Sequence, residues 1–160
     1  MGLAVVWVGV DQLAKWLVET NLKEGVAVPV IGELVQFVFV RNPGAAFSIG
    51  GGLTWLFAVV ALAVAVFIVV FARRIRSLAW ATVFGMLLGG TIGNLLDRLF
   101  REPGFGQGHV VDFIRVWGLP FIFNVADIAI TFSVAMLVIL VLTGRNLDGT
   151  RHGKPKPADS

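Results

Sequence analysis

Three long apolar runs constrain this chain more than any other feature of its sequence. Leu53–Ala72 and Ser77–Leu96 contain no charged side chain, and Leu119–Thr143 is interrupted only by Asn124 and Asp127. A helix needs about 20 apolar residues to cross the hydrocarbon core of a bilayer. The composition agrees, because only 14% of the residues are charged, whereas soluble domains carry about 25%. We therefore predict an integral membrane protein.

The N-terminal stretch is a weaker fourth helix, since only ten residues precede Asp11. Either this helix is tilted and shallow, or the chain begins downstream of its natural start. We expect an all-α membrane protein with a single transmembrane domain over residues 1–143 and a disordered basic tail over 144–160. The predicted helices span about 1–19, 53–72, 77–98 and 121–143, with outer loops at about 20–52 and 99–120.

The distribution of basic residues predicts the orientation in the membrane. Arg73, Arg74 and Arg76 lie in the short link between two predicted spans, and further Arg and Lys residues follow Thr143. Because short cytoplasmic loops are enriched in Arg and Lys, both termini are predicted to be cytoplasmic. The same clustering indicates topology rather than nucleic-acid binding. The chain has no cysteine, so it has no disulfide and no thiolate site.

The outer loops contain candidate strands. Leu34–Arg41 and His109–Val116 are rich in β-branched and aromatic residues, which favours strands in a small sheet on the outer face of the membrane. Gly50–Gly52 is a flexible approach to the second helix, and this loop is either a candidate lid or an ordinary surface connection. Glycines at four-residue spacing on the third helix predict a close helix–helix contact; they are Gly85, Gly89 and Gly93.

Polar residues recur at helical spacing inside three of the predicted helices. They are Asp11 and Lys15 in the first, Asn94, Asp97 and Arg98 in the third, and Asn124 and Asp127 in the fourth. Each set shares one helical face, and the predicted topology brings all three to the outer leaflet. One polar cavity that opens outward would result. Ion pairs or interfacial caps remain alternatives for the first two sets, whereas an acid inside a span, such as Asp127, is by default a functional candidate.

The available side chains narrow the chemistry. The HExxH motif of zinc proteases is absent, and His109 and His152 fall in different predicted compartments. A serine mechanism through Ser48 and Lys15 has no support from their spacing. The remaining candidates are the carboxylates of Asp11, Asp97, Asp112 and Asp127. Two of them in one site would share a proton, and one would act as a general base toward water, but the pattern alone does not choose the pair.

Five short motifs in a fixed order make that choice. They are DQLAK (11–15), RNPGAAFS (41–48), GNLLDR (93–98), VVDFI (110–114) and FNVAD (123–127). Each motif alone is weak, but together they closely resemble those of bacterial lipoprotein signal peptidases, the signal peptidase II family. The resemblance covers about residues 1–143 and departs only in the short segment before DQLAK.

The resemblance implies a fold, an activity and a set of site residues. It implies four transmembrane helices with a small periplasmic β-cradle, and an aspartic endopeptidase without metal or cofactor. Its catalytic pair would be Asp112 and Asp127. The residues that support the site or hold the substrate would be Asp11, Lys15, Asn42, Asn94, Asp97, Arg98 and Asn124.

The resemblance also implies a substrate and a location. The substrate would be a prolipoprotein whose cysteine already carries diacylglycerol, cut on the amino side of that cysteine. The enzyme would be a multi-pass protein of the bacterial inner membrane, in contact with membrane lipid, monomeric, without nucleic acid, and with its site toward the outer leaflet.

Two other functions remain open at this point. A proton- or ion-coupled carrier would use the same acids as a relay, but it predicts acids reachable from both sides or an internal repeat, and neither is visible in the sequence. A non-catalytic scaffold predicts that replacing Asp112 and Asp127 with asparagine leaves function intact.

Overall fold

The computed structural model describes residues 1–44 and 53–150 as a helical bundle with one small sheet at its end. The helices are α1 (Gly2–Asn21), α2 (Thr54–Phe71), α3 (Leu78–Phe100) and α4 (Val125–Leu142). The strands are β1 (Ala27–Ile31), β2 (Val35–Asn42), β3 (Val110–Val116) and β4 (Ile122–Phe123). The predicted lid glycines Gly50–Gly52 lie outside the described residues.

Within the described ranges, three helices are long and apolar enough to cross a membrane: α2, α3 and α4. The α1 helix differs because its 20 residues include Asp11, Lys15 and Glu19. It buries Ala4, Asp11, Lys15 and Val18, a spacing that forms one seam along the helix. The fold therefore contains three spans by composition and one helix whose polar seam faces the bundle.

The α3 helix is the centre of the bundle and packs against each of the other three helices. The predicted glycine face is confirmed, since Gly85, Gly89 and Gly93 all face α1. A Cβ added at Gly93 would lie 2.6 Å from a carboxylate oxygen of Asp11. On another face of α3, a Cβ at Gly90 would lie 2.4 Å from the carbonyl oxygen of Ala126 in α4. These glycines bring the polar residues of three helices within contact distance.

The sheet is antiparallel, with the strand order β1-β2-β3-β4. Its two central strands, β2 and β3, correspond to the predicted ones. Phe39, Val111 and Phe113 of these strands are buried together with Val18 of α1. This packing fixes the sheet against the end of the bundle, at the level where α1 and α3 end and α4 begins.

Two predictions on boundaries were wrong. The fourth helix was predicted to begin near residue 121, but it begins at Val125, because Ile122 and Phe123 pair with β3 and Asn124 caps the helix. The tail was predicted to be disordered from residue 144. Its described part instead folds back on α3: the Leu147 carbonyl accepts from the backbone N–H groups of Arg76 and Ser77, and Trp80 donates to the Arg145 carbonyl.

Candidate active site

Asp112 is held on the central strand of the sheet. It lies on β3 opposite Val40 of β2, and its side chain is only 4% exposed. Asn42, at the end of β2, donates from Nδ2 to Asp112 Oδ2 at 2.8 Å. The Asn42 Oδ1 accepts from the Gly44 backbone N–H at 3.0 Å, which orients the amide. The turn after β2 therefore presents a donor to this carboxylate.

Asp127 lies in the first turn of α4 as part of a capping box. Asn124 is the N-cap, and its Oδ1 accepts from the Asp127 backbone N–H at 3.0 Å. In return, Asp127 Oδ2 accepts from the Asn124 backbone N–H at 3.1 Å. This reciprocal pair satisfies two free donors of the helix terminus, and a carboxylate there is favoured by the helix dipole. The local fold of α4 thus fixes one oxygen of Asp127.

Two asparagine amides connect the two carboxylates. Asn124 Nδ2 donates to Asp112 Oδ1 at 2.6 Å and to Asn94 Oδ1 at 3.1 Å. Asn94 Nδ2 in turn donates to Asp127 Oδ1 at 2.9 Å. Both carboxylates therefore receive neutral amide donors on both oxygens, and Asn124, which is fully buried, touches both of them.

Lys15 lies behind this arrangement and is fully buried. Its Nζ contacts Asp11 at 2.8 Å, Asp97 at 2.7 Å and Asn94 Oδ1 at 2.9 Å. An ammonium has three donors, and here each has an acceptor. Because Asn94 Oδ1 accepts from Lys15, its amide nitrogen must face Asp127. A charge cluster between α1 and α3 therefore determines which atom Asn94 presents to the site.

Asp11 and Asp97 also connect this cluster to the backbone, because each carboxylate accepts a hydrogen bond from a backbone N–H. Asp11 Oδ1 accepts from the Ala126 backbone N–H at 2.9 Å, and Asp97 Oδ2 accepts from the Val111 N–H at 3.2 Å. One contact lies just before Asp127 and the other just before Asp112. Each structural aspartate thus holds the backbone next to one candidate catalytic aspartate.

Arg98 contributes the positive charge of the site. Its guanidinium donates to the carbonyl oxygens of Asn94 and Gly44 at 3.1 and 3.2 Å and lies 5.8 Å from the ring centre of Phe57. Its Nε is buried and has no hydrogen-bond partner among the described residues. Since an unpaired buried donor is costly, this atom is a candidate donor to a ligand carbonyl.

One cavity of about 230 Å³ collects these groups. We call it the dyad cavity. Its polar lining consists of Asn42, Asn94, Arg98, Asp112 and Asp127. The structure thus brings five of the nine sequence-predicted site residues to one surface. Asn124 lies beneath it, and the remaining three, Asp11, Lys15 and Asp97, form the supporting cluster rather than the cavity wall.

The surroundings of Asp112 favour its protonated form. Burial raises the pKa of Asp112 to about 6, the hydrogen bond from Asn42 lowers it, and the charge of Asp127 raises it. A carboxyl that retains its proton in mildly acidic conditions beside a second carboxylate is suited to sharing one proton with it.

Some residues of this region were missed by the sequence reasoning. Gln12 donates to Asp97 Oδ1 at 3.0 Å and to the Gly93 carbonyl at 3.0 Å. Arg101 donates to Asp97 Oδ1 at 2.8 Å and also pairs with Glu19. The four-residue spacing from Asp97 to Arg101 is a signal that predicts such a pair, whereas no local signal indicates the contacts between helices.

Comparison with known proteins identifies the family. The family described as signal peptidase (SPase) II matches residues 3–143. The chain belongs to the signal peptidase II family. This confirms the resemblance drawn from the five motifs, and with it an aspartic peptidase family.

Relatives named lipoprotein signal peptidase match most of the chain. The one from Leifsonia xyli subsp. xyli is 57% identical over 142 residues, which cover 89% of this chain and 66% of that protein. The one from Rhodococcus jostii is 47% identical over 154 residues, which cover 96% of this chain and 77% of that protein. This chain therefore spans about two thirds to three quarters of the length of these relatives.

A solved structure has the same fold. A bacterial membrane enzyme determined by the in meso method at 2.3 Å resolution superposes with a TM-score of 0.80 at 29% identity, covering 96% of this chain and 92% of the other. This likeness agrees with the three apolar helices in placing the signal peptidase II chain among membrane enzymes.

Proposed function

We propose that this chain is a membrane aspartic endopeptidase that removes the signal peptide from diacylglyceryl-modified prolipoproteins. It cuts on the amino side of the lipidated cysteine. The observation that carries the proposal is the pair Asp112 and Asp127, joined through Asn124 at the wall of one cavity in a signal peptidase II chain. The names of the relatives support the substrate class.

In this mechanism the two aspartates share one proton and hold a water between them. The ionised carboxylate takes a proton from the water, whose oxygen attacks the carbonyl carbon of the scissile peptide bond. The protonated carboxyl gives its proton to the carbonyl oxygen, which yields a neutral gem-diol. The gem-diol then loses a proton to a carboxylate, the C–N bond breaks, and the cysteine nitrogen gains a proton and leaves as an amine. No cofactor takes part.

The other polar groups hold the two carboxylates in position and would bind the substrate carbonyl. The amides of Asn42, Asn94 and Asn124 fix the outer faces of the carboxylates without adding charge. The free Nε of Arg98 would donate to a substrate carbonyl near the scissile bond. Preorganised donors of this kind lower the barrier because they need no rearrangement during the reaction.

The expected dependence on pH follows from Asp112. Its raised pKa of about 6 means that the proton of the dyad is present below that pH and is lost as the pH rises. Bound substrate excludes water and raises this value further. The kcat/KM profile, which reports the free enzyme, should therefore fall on its alkaline side with a midpoint near pH 6, and the kcat profile, which reports the enzyme–substrate complex, should fall at a higher pH. A rate that continues to rise to about pH 10 would contradict a proton shared by these carboxyls.

The site requires a particular orientation in the membrane. The sheet and the dyad cavity lie at the end of the bundle opposite Arg73, Arg74 and Arg76, and a basic loop favours the cytoplasm. We place this loop and both termini on the cytoplasmic side of the bacterial inner membrane. We also propose that α1 is a fourth membrane helix and that the dyad cavity lies toward the outer leaflet.

Single cysteines test this orientation, since the chain has none of its own. An impermeant thiol reagent added outside intact cells should label a cysteine at the exposed Trp117 position and leave one at Arg74 unlabelled until the cells are opened. Labelling of position 74 from outside would place the site in the wrong leaflet.

The lipid requirement tests the function itself. A site at the level of the membrane surface should bind a precursor more weakly when its cysteine lacks the lipid that anchors it in the bilayer. We expect the diacylated precursor to be cut at least about tenfold faster than the same unmodified precursor, since each buried methylene contributes about 0.8 kcal/mol. Equal rates with both would leave a peptidase of another substrate class.

A further inference from the structure

The dyad cavity shares lining residues with three further cavities, and their arrangement matches the arrangement of the proposed substrate. On the basis of the proposed function, we infer that the diacylglyceryl group lies in an apolar groove on the outer face of α4, beside Asp127. The signal peptide reaches the dyad from the opposite side, between α2 and α4.

The first of these cavities, the α4 groove, has a volume of about 410 Å³. The first two turns of α4 form its floor, and the segment before that helix forms its upper wall. Its lining residues are Leu119, Phe121, Phe123, Asp127, Ile128, Thr131 and Phe132. Asp127 also lines the dyad cavity, so the groove begins at the reacting centre and continues along a membrane helix.

The second cavity, the α2–α4 cleft, lies on the other side. Both helices pack against α3, but they hardly touch each other, so α3 forms the floor between two helical walls. The lining residues are Phe57, Val60, Ala61, Val64, Thr91, Asn94, Arg98 and Ile130. Asn94 and Arg98 also line the dyad cavity, and they form the polar end of the cleft.

The third cavity, the outer cavity, has a volume of about 470 Å³ and lies over the sheet. It shares Asn42 and Asp112 with the dyad cavity. It also shares Leu119 and Phe121 with the α4 groove. The outer cavity and the α4 groove therefore adjoin each other, whereas the α2–α4 cleft shares Asn94 and Arg98 with the dyad cavity and, among the described residues, shares no lining residue with the other two.

A substrate lipidated on its cysteine has three branches, which correspond to the three cavities around the dyad cavity. The signal peptide lies on the amino side of the scissile bond, while the lipid and the mature chain both leave from the cysteine on its carboxyl side. The lipid and mature chain therefore need two cavities that adjoin each other, which are the α4 groove and the outer cavity. The signal peptide needs the separate one, the α2–α4 cleft.

The lining chemistry supports the same assignment. Away from Asp127, the α4 groove has one polar side chain, Thr131, and otherwise offers aromatic and aliphatic carbon. The cleft ends instead at Arg98, whose buried Nε has no hydrogen-bond partner among the described residues. That donor suits the carbonyl of a peptide, and an acyl chain beside it would leave it without a partner.

The test fills each groove and varies the chain length of the lipid. Thr131→Trp fills the α4 groove, and Ala61→Trp fills the cleft. The two substrates are the same prolipoprotein peptide with dipalmitoyl- or dioctanoyl-glyceryl cysteine. Thr131→Trp should lower kcat/KM for both substrates, and the loss should be about tenfold larger for the long-chain substrate than for the short-chain one. This difference is expected for lost apolar contact. Ala61→Trp should lower both rates by the same factor.

Several controls make the result decisive. Val66→Trp, on a face of α2 that is 54% exposed, should leave both rates unchanged. Thr131→Leu replaces Thr131→Trp if the larger side chain prevents folding, and it should show the same selectivity on a smaller scale. Chain-length selectivity in Ala61→Trp instead of Thr131→Trp would overturn the assignment, and so would equal losses on both substrates in Thr131→Trp. Failure of the unsubstituted protein to cut either peptide would overturn the proposed function itself.

Discussion

Asp112→Asn and Asp127→Asn should each reduce cleavage of a lipidated precursor by about 10²–10⁴-fold or more, the contribution of general acid–base groups. An asparagine at either position can neither accept the proton of the attacking water nor return one to the leaving amine. Both side chains are held by amide donors in the folded protein. The substitutions keep size and shape, so the protein should still insert and fold. Gel mobility of the precursor and product measures the loss.

The matched control for this pair is Asp148→Asn. Asp148 lies in an exposed turn where its carboxylate accepts from Thr150, far along the chain from the cavity lining. It should cleave at the parent rate. Activity within about tenfold of the parent in either dyad variant, in protein shown to be folded, would remove that residue from the catalytic pair.

The second large effect is expected at Lys15. Lys15→Met leaves Asp11 buried without a cation and leaves Asp97 with Arg101 alone as its cation. Breaking a buried ion pair by removing one partner costs about 3–5 kcal/mol. We therefore expect a lower free energy of unfolding by about that amount and little folded protein in the membrane. Thermal unfolding in detergent, followed by intrinsic tryptophan fluorescence, measures the change.

A second substitution separates charge from packing. If the unpaired carboxylates cause the loss, Asp11→Asn added to Lys15→Met should recover part of the Tm. Lys23→Met, at an exposed position after α1, removes the same charge and should leave the Tm within about 1 °C of the parent, as expected for a surface substitution. A parent-like Tm in Lys15→Met would mean that the cluster does not hold α1 against α3.

The sequence predicted those features that depend on one element at a time. The three apolar helices follow from their length and lack of charge, and β2 and β3 follow from their β-branched and aromatic residues. The Asp11–Lys15 pair follows from helical spacing. Each of these features is local, because residues close together in the sequence are enough to predict it.

Features that depend on two elements were predicted less well. Asp97 was grouped with Asn94 and Arg98, but it pairs with Lys15 and Gln12 of α1 and does not line the dyad cavity. The strand β1 was missed because all five of its residues are exposed and one is proline. Its sequence therefore shows no alternation of apolar and polar residues. The strand β4 has only two residues, too few for any periodicity.

The start of α4 could have been read correctly. Asn124 and Asp127 have the spacing of a capping box, in which a short polar N-cap is followed three residues later by an acid. The apolar run from Leu119 concealed this signal, since hydropathy does not distinguish a strand from the first turn of a span. Recognition of the five motifs supplied the pair Asp112 and Asp127, which no spacing rule connects because one lies on a strand and the other on a helix.

The most direct measurement is the identity of the product. Purified protein in lipid nanodiscs is mixed with a diacylglyceryl-prolipoprotein, and the released fragments are weighed by mass spectrometry. We predict two fragments, a signal peptide with a free carboxyl end and a mature chain that begins with the lipidated cysteine. Both should be absent with Asp112→Asn and with Asp127→Asn. An intact precursor, cleavage at another bond, or the same fragments from both variants would contradict this prediction.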